Sequence, residues 1–231
     1  MAGRKDRGNS SQGTVTSAGQ GERFDVAMVN YGREEKGLPL VATITRKPWT
    51  AEELARLPEG WRYEIDQGEL IITAPAGWRH NRVVSRIARL LGNFVAGHGL
   101  GEVITNELGV LLSASPQTLR APDVAYFTPE QVASIGNEQG YPRVVPALVV
   151  EVHDPSEPDL SRKVEQFLAA GARAVWVVDP ETPRLTRHAL GAPPRTWSGP
   201  GAVVQEPLLP GFACSLGELV GEGGTTGGSN L

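Results

Sequence analysis

Two carboxylates stand where strand-forming sequence would ordinarily exclude them: Asp123 within residues 121–127 and Glu151 within residues 147–153. Both runs are otherwise almost wholly apolar, and the second reads as a strand buried on both faces. Side chains alternate along a strand, so Asp123 shares a face with Ala125 and Phe127, and Glu151 with Val149 and His153. Burying an ionised carboxylate without a partner costs several kcal/mol, roughly the whole stability margin of a domain. Each acid therefore needs a cation, a donor or a metal. Either acid alone could simply end its strand in water or against an arginine. Two of them on adjacent strands, with Lys163 soon after, point instead to a shared hard divalent cation. Such an ion takes oxygen ligands and keeps waters, one of which can become a nucleophile.

Other residues could join them. Glu64 and Glu69 flank a hairpin at Asp66-Gln67-Gly68. Glu69 follows the glycine and reads as the start of a strand or an arginine partner, with a third acid as its fallback role. By alternation alone Glu64 could equally face solvent. His80 lies in the first turn of a long helix, where anions are attracted, so it could meet a phosphate or merely cap. Arg79, Arg82, Arg86 and Arg89 recur at spacings of three and four on the same helix without interleaved acids. They read as either a wet helix face or a phosphate track. His153 could move a proton, help hold a metal or hydrogen-bond at the strand end, and the structural role is preferred.

The elements that must position these groups are legible from periodicity. Thr50 and Glu53 form a capping box ahead of a short helix ending near Leu57, which Pro58 and Gly60 stop. Residues 61–65 and 69–73 are the hairpin strands. A helix over 79–96 buries Val83, Val84, Ile87, Leu90, Leu91 and Phe94 and is closed by Gly97 and Gly99. Residues 102–105 and 107–112, the latter beginning at Glu107, read as a second strand pair. A strand over 121–127 leads to a helix capped by Thr128. Strand 147–153, helix 159–170 (opening at Asp159) and strand 174–178 require a right-handed crossover with parallel strands. Residues 184–189 and 202–207 read as edge strands. Asp179-Pro180-Glu181 is a structural turn, and Trp176 and Trp61 are expected in the core.

The chain has 231 residues, 40% hydrophobic and 21% charged, which suits a globular domain. Residues 1–46 read as a flexible arm, with a short ordered piece near 24–29, 47–220 as the folded domain and 221–231 as a loose tail. No apolar run approaches the roughly 20 residues that span a bilayer, and the polar N-terminus lacks a secretory pattern, so cytoplasmic residence is expected. The single cysteine, Cys214, excludes an internal disulfide and a Cys-cluster zinc site, and reads as a small buried hydrophobe. A net charge of −4 argues against binding nucleic acid through bulk charge, though not through a local basic surface.

Pro122-Asp123 followed by Glu151-Val152-His153 resembles the PD-(D/E)XK signature of restriction-endonuclease-like proteins. More specifically the chain resembles the Uma-two family of bacterial endonucleases. The resemblance is carried by RYEIDQGELIITAP (62–75), His80, RAPDVAYF (120–127), LVVEVHDPSEPDLSRKVEQFLAAGARAVWVVDPE (148–181) and PLLPGF (207–212), and covers about residues 50–220. It implies an α/β domain with a restriction-endonuclease-like mixed sheet flanked by helices, and hydrolysis of phosphodiester bonds with magnesium or manganese. Asp123 and Glu151 then become metal ligands, and Glu64, in its RYE context, a further acid of the site. The wider signature has a lysine where this chain has His153, and Asp154 follows where family members often have serine. Family members resemble one another in using a lysine on the following helix, which Lys163 matches. A long side chain there can still bring charge to the phosphate.

The expectation is therefore a DNA endonuclease with Asp123, Glu151, Lys163 and Glu64 in its chemistry, and Arg79, His80, Arg82, Arg86 and Arg89 on phosphates. A homodimer would suit cutting of two strands. One rival is a module of the same fold that binds DNA or protein without turnover, which His153 motivates. The other is a nuclease acting on RNA or a different phosphohydrolase.

Overall fold

The computed structural model describes residues 10–16, 23–29 and 41–44 as strand backbone, and 48–54, 56–57, 61–105, 108–135, 140–154 and 160–221 with side chains. The readings of Pro58, Gly60, Glu107, Asp159 and residues 222–231 lie outside them, as does the rest of 1–47.

Among the described residues the strands form three sheets. Numbered in chain order, the first runs β1 (Ser10–Thr16), β2 (Arg23–Val29), β3 (Val41–Ile44), β5 (Glu69–Thr73), β4 (Arg62–Asp66), β8 (Gln117–Arg120), β7 (Val110–Ala114). The hairpin β4–β5 turns at Gln67 and Gly68, both at positive φ (49° and 86°), the turn geometry whose twist matches the strands. Three stretches of the segment expected to be an arm are strands, and β3 pairs with β5 through backbone bonds, which an apolar pattern need not announce. Helix α1 (Ala51–Leu54) has the Glu53 carboxylate accepting from the Thr50 backbone N–H at 3.0 Å, but it runs for a single turn. Leu54, Trp49, Ile65, Leu70 and Leu119 form the core beneath this sheet. Trp61 is not in it: placed before β4, it is 45% exposed, and Trp49 fills the core.

The second sheet runs β13 (Ala192–Ser198), β12 (Arg184–Ala189), β11 (Ala174–Asp179), β10 (Leu148–Val152), β9 (Val124–Phe127), β6 (Glu102–Ile104). β10 and β11 are parallel and joined through α4 (Leu160–Ala170). Helices cover both faces, which is why β10 is buried throughout. On one side α2 (Trp78–His98) packs Val83, Ile87, Leu91 and Val95 on Val150, Val152 and Trp176, with α5 (Leu216–Val220) beside it. On the other, Val164 and Phe167 of α4 meet Val149 and Val175. Alternation puts Glu151 with Val149, on the α4 side. α2 ends at Gly99 in the left-handed region (φ 63°), as its sequence anticipates. Thr128 and Gln131 cap α3 (Pro129–Ile135) reciprocally.

Four strand assignments need correction. The strand expected over 121–127 begins only at Val124: Pro122 has no N–H for a ladder, and the chain changes sheets between β8, which ends at Arg120, and β9. Consequently the expected pair within 102–112 separates, β6 following β9 into the second sheet and β7 following β8 into the first. β12 is internal, because β13 covers it; Pro193 and Pro194 hide β13 in sequence but are tolerated in an edge strand. Finally, β14 (Val203–Gln205) joins neither large sheet and, among the described residues, pairs with β15 (Ala213–Ser215) alone.

Candidate active site

The change of sheet is what assembles the site. β9 and β10 are antiparallel with Val124 opposite Val150, and the same register carried one step places Asp123 opposite Glu151. There the backbone has turned away, and the Asp123 side chain takes over the ladder: Oδ2 accepts from the Val152 N–H at 2.7 Å. Its Oδ1 accepts from His80 Nε2 at 3.1 Å, with Arg62 Nη2 3.5 Å away. Burial pushes the Asp123 carboxyl up, but His80, Lys163 and Arg62 outweigh it and hold it below the ordinary aspartate value.

Glu151, fully buried, meets Lys163 Nζ at 2.9 Å. Lys163 is also buried and reaches from α4 to the Ala121 carbonyl at 3.0 Å and Glu64 Oε1 at 3.0 Å. Thus Glu64, Glu151 and Lys163 are brought together, and Asp123 lies on the peptide that follows Glu151. The two metal-ligand candidates nonetheless engage helices on opposite sides of the sheet, α2 for Asp123 and α4 for Glu151. The charge of Lys163 acts on both Asp123 and Glu64.

Glu64 has a further set of partners. Its Oε1 accepts from the Ala121 N–H and its Oε2 from Arg120 Nη1, both at 2.9 Å. Burial pushes its carboxyl up, yet Lys163, Arg120 and these hydrogen bonds hold it at about 2. Arg120 in turn bridges Asp66 (2.9 Å) and Gln166 (2.7 Å), and Asp66 binds Arg162. Sequence reading missed Arg62, Asp66, Arg120 and Gln166. A signal existed in β4, where Arg62, Glu64 and Asp66 alternate with Tyr63 and Ile65 and so share one face.

An open cleft of about 280 Å³ adjoins Asp123, lined by Arg62, His80 and Asn81 with Pro75, Ala76 and Val84. None of the arginine ridge lines it. Arg79 donates to the Pro180 carbonyl at 2.8 Å, and Arg82 approaches the Gly221 carbonyl at 3.5 Å. A Cβ on Gly221 would stand 2.9 Å from Arg86 Nε, so these arginines sit at the C-terminal end of α5, where cations are favoured. Arg89 is exposed. His153 donates its backbone N–H to Val178 while its ring, half-buried, makes no hydrogen bond among the described residues. Glu69 is exposed at the start of β5. Cys214 is buried, its thiol pushed up to about 12 first by burial and then by Glu218, as befits a packing residue. Asp179 accepts from the Glu181 and Thr182 N–H groups, so that turn is structural.

For a hard divalent cation the donor type fits: both candidates are carboxylates, Asp123 on the wall of the open cleft and Glu151 fully buried. No group of three His, Cys, Asp or Glu converges among the described residues, so waters would complete the shell. The burial of these acids does not by itself demand a metal, because Lys163, His80, Arg62 and backbone N–H groups already offset it.

The described residues thus form a mixed α/β fold with acids and a lysine gathered where two sheets meet. The crystal structure of a "putative nuclease belonging to DUF820" from Anabaena variabilis ATCC 29413 shares the fold, with a TM-score of 0.65 at 19% identity over 75% of this chain and 98% of that one. The chain belongs to the Uma2 family, whose model, described as "Putative restriction endonuclease", matches residues 51–217. No curated protein matches it. No helix among the described residues is long and apolar enough to cross a membrane.

Proposed function

We propose that this protein is a magnesium- or manganese-dependent endonuclease that hydrolyses DNA phosphodiester bonds. The observation that carries the reading is Asp123 bonded to the N–H next to Glu151, with the Lys163 ammonium on Glu151 and an open cleft alongside. Asp123 and Glu151 would hold the ion. When bound, it supplies Lewis-acid polarisation of the phosphate and a water acidic enough to attack at neutral pH.

The chain's own groups do the remainder. Lys163, desolvated and anchored on the Ala121 carbonyl, offers a positive charge that is worth more in a dry site than in water. Glu64 fixes where that ammonium sits, and Arg120 fixes Glu64. His80 holds the Asp123 carboxylate in one orientation, while Arg62 stands at the cleft to meet a non-bridging phosphate oxygen.

A plasmid-nicking assay in magnesium or manganese tests this. Wild type should convert supercoiled DNA to nicked circles, and Asp123→Ala should be slower by roughly a hundredfold or more. Equal cleavage by both, or none by either, rejects the reading. One observation favours a second reading, a DNA-binding module without turnover: Lys163 already neutralises Glu151. That reading expects DNA binding but no calorimetric metal binding dependent on Asp123 and Glu151.

A further inference from the structure

The chain has five tryptophans, and they divide sharply. Trp49, Trp176 and Trp197 are at most 7% exposed, Trp61 is 45% exposed, and Trp78 is 83% exposed. Trp78 opens α2, and the chain on both sides of it lines the cleft: Pro75 and Ala76 before, His80 and Asn81 after. It precedes Asn81 by three positions, which puts the two on the same flank of the helix. Trp78 does not itself line the cleft, but the residues that flank it in the chain do, so it lies next to the wall that holds Asp123.

Its surroundings say what could cover it. Its chain neighbours Gly77, Arg79, Asn81 and Arg82 are exposed and none carries an apolar side chain, so they give a protein partner little apolar surface to bury beside the ring. A nucleic-acid base needs less: one π-face, with cations nearby for the backbone. Arg79 is beside Trp78 in the chain, and Arg62 lies in the cleft. At about 280 Å³ the cleft is near the lower bound of ligand pockets, a size that suits a single nucleotide.

We infer that Trp78 is a stacking platform for an unpaired base, so that the DNA strand reaches Asp123 and Arg62 in single-stranded form. The inference builds on the nuclease reading for what happens to that strand, but the stacking itself needs no metal. Stacking tolerates every base, which gives a preference for single strands with little sequence preference.

The test uses the full chain in EDTA, so that nothing is cut, and follows a labelled single-stranded oligonucleotide and its duplex by fluorescence anisotropy. Wild type should bind the single strand more tightly than the duplex. Trp78→Ala should weaken single-strand binding by roughly five- to a hundredfold and leave duplex binding unchanged. Trp78→Tyr should restore most of the loss. Leu190→Ala removes a residue of similar exposure (77%) in the β12–β13 turn and should change nothing. An unaltered Trp78→Ala, or equal wild-type affinity for both forms, overturns the inference. Because binding is read without metal, a failed nicking assay leaves a positive result here intact. Conversely, nicking by a protein whose binding ignores Trp78 removes this inference alone.

Discussion

Two buried acidic clusters in this protein look alike in composition and differ in design. Glu206 is 2% exposed and completely satisfied: Oε2 accepts from Trp176 Nε1 at 2.8 Å and Arg187 Nε at 2.9 Å, while Oε1 accepts from Arg187 Nη2 at 3.1 Å and the Leu208 N–H at 3.0 Å. One acid meets one bidentate arginine against the core beneath α2. The Asp123–Glu151–Lys163–Glu64 group instead gathers three acids around one lysine where two sheets meet, with Asp123 on the wall of a cleft. Burial of a carboxylate is therefore no mark of chemistry. Several acids linked through one shared lysine, next to an entrance, is a better one, because a ligand can alter their balance.

Removing Lys163 is the harshest way to break this comparison. Lys163→Met takes the ammonium from Glu64 and Glu151 together and should destabilise the fold by about 3–5 kcal/mol in urea unfolding, the scale for a broken buried pair. Millimolar manganese should recover part of that loss if the acids accept a divalent ion. No recovery would make the cluster as closed as that of Glu206.

Arg187→Met should cost somewhat less, about 3 kcal/mol, since Glu206 keeps the Trp176 and Leu208 N–H donors. Manganese should not restore it. A metal-dependent rise in Tm for this variant would erase the distinction between the clusters.

The smallest effect is on acid stability. The folded-state pKa of Glu64, about 2, lies below its ordinary value of 4.5, so its contribution is fully present above 4.5 and lost as pH falls toward 2. Glu64→Gln should remove that part of the acid dependence, seen as a flatter loss of Tm between those pH values. An unchanged slope would mean that Glu64 is not held by Lys163 and Arg120.

Much of this was legible in the chain. The hairpin, the long helix and the crossover announce themselves because a 3.6- or two-residue period and a Gly turn are local properties. Lys163 could be matched through resemblance, and Glu151 through its apolar neighbours. Partner choice was not legible. Nothing local distinguishes Arg62, at the cleft, from Arg82 and Arg86, which face the end of α5, and Glu206 lacks the surrounding apolar run that drew notice to Glu151. Trp61 and Trp176 are the same residue type with opposite fates, decided by one lying before a strand and the other within it.

Sequence alone determined the α/β class, the strand carrying Glu151 and the presence of acids whose burial must be offset, since each follows from residue type and short-range period. Tertiary structure alone decided what offsets them. Pro122 breaks a strand, its halves go to different sheets, and only that division brings Glu64 from β4, Glu151 from β10 and Lys163 from α4 within reach of one another. Contacts between residues 12 to about 100 positions apart depend on how sheets and helices stack, which no window of the chain contains.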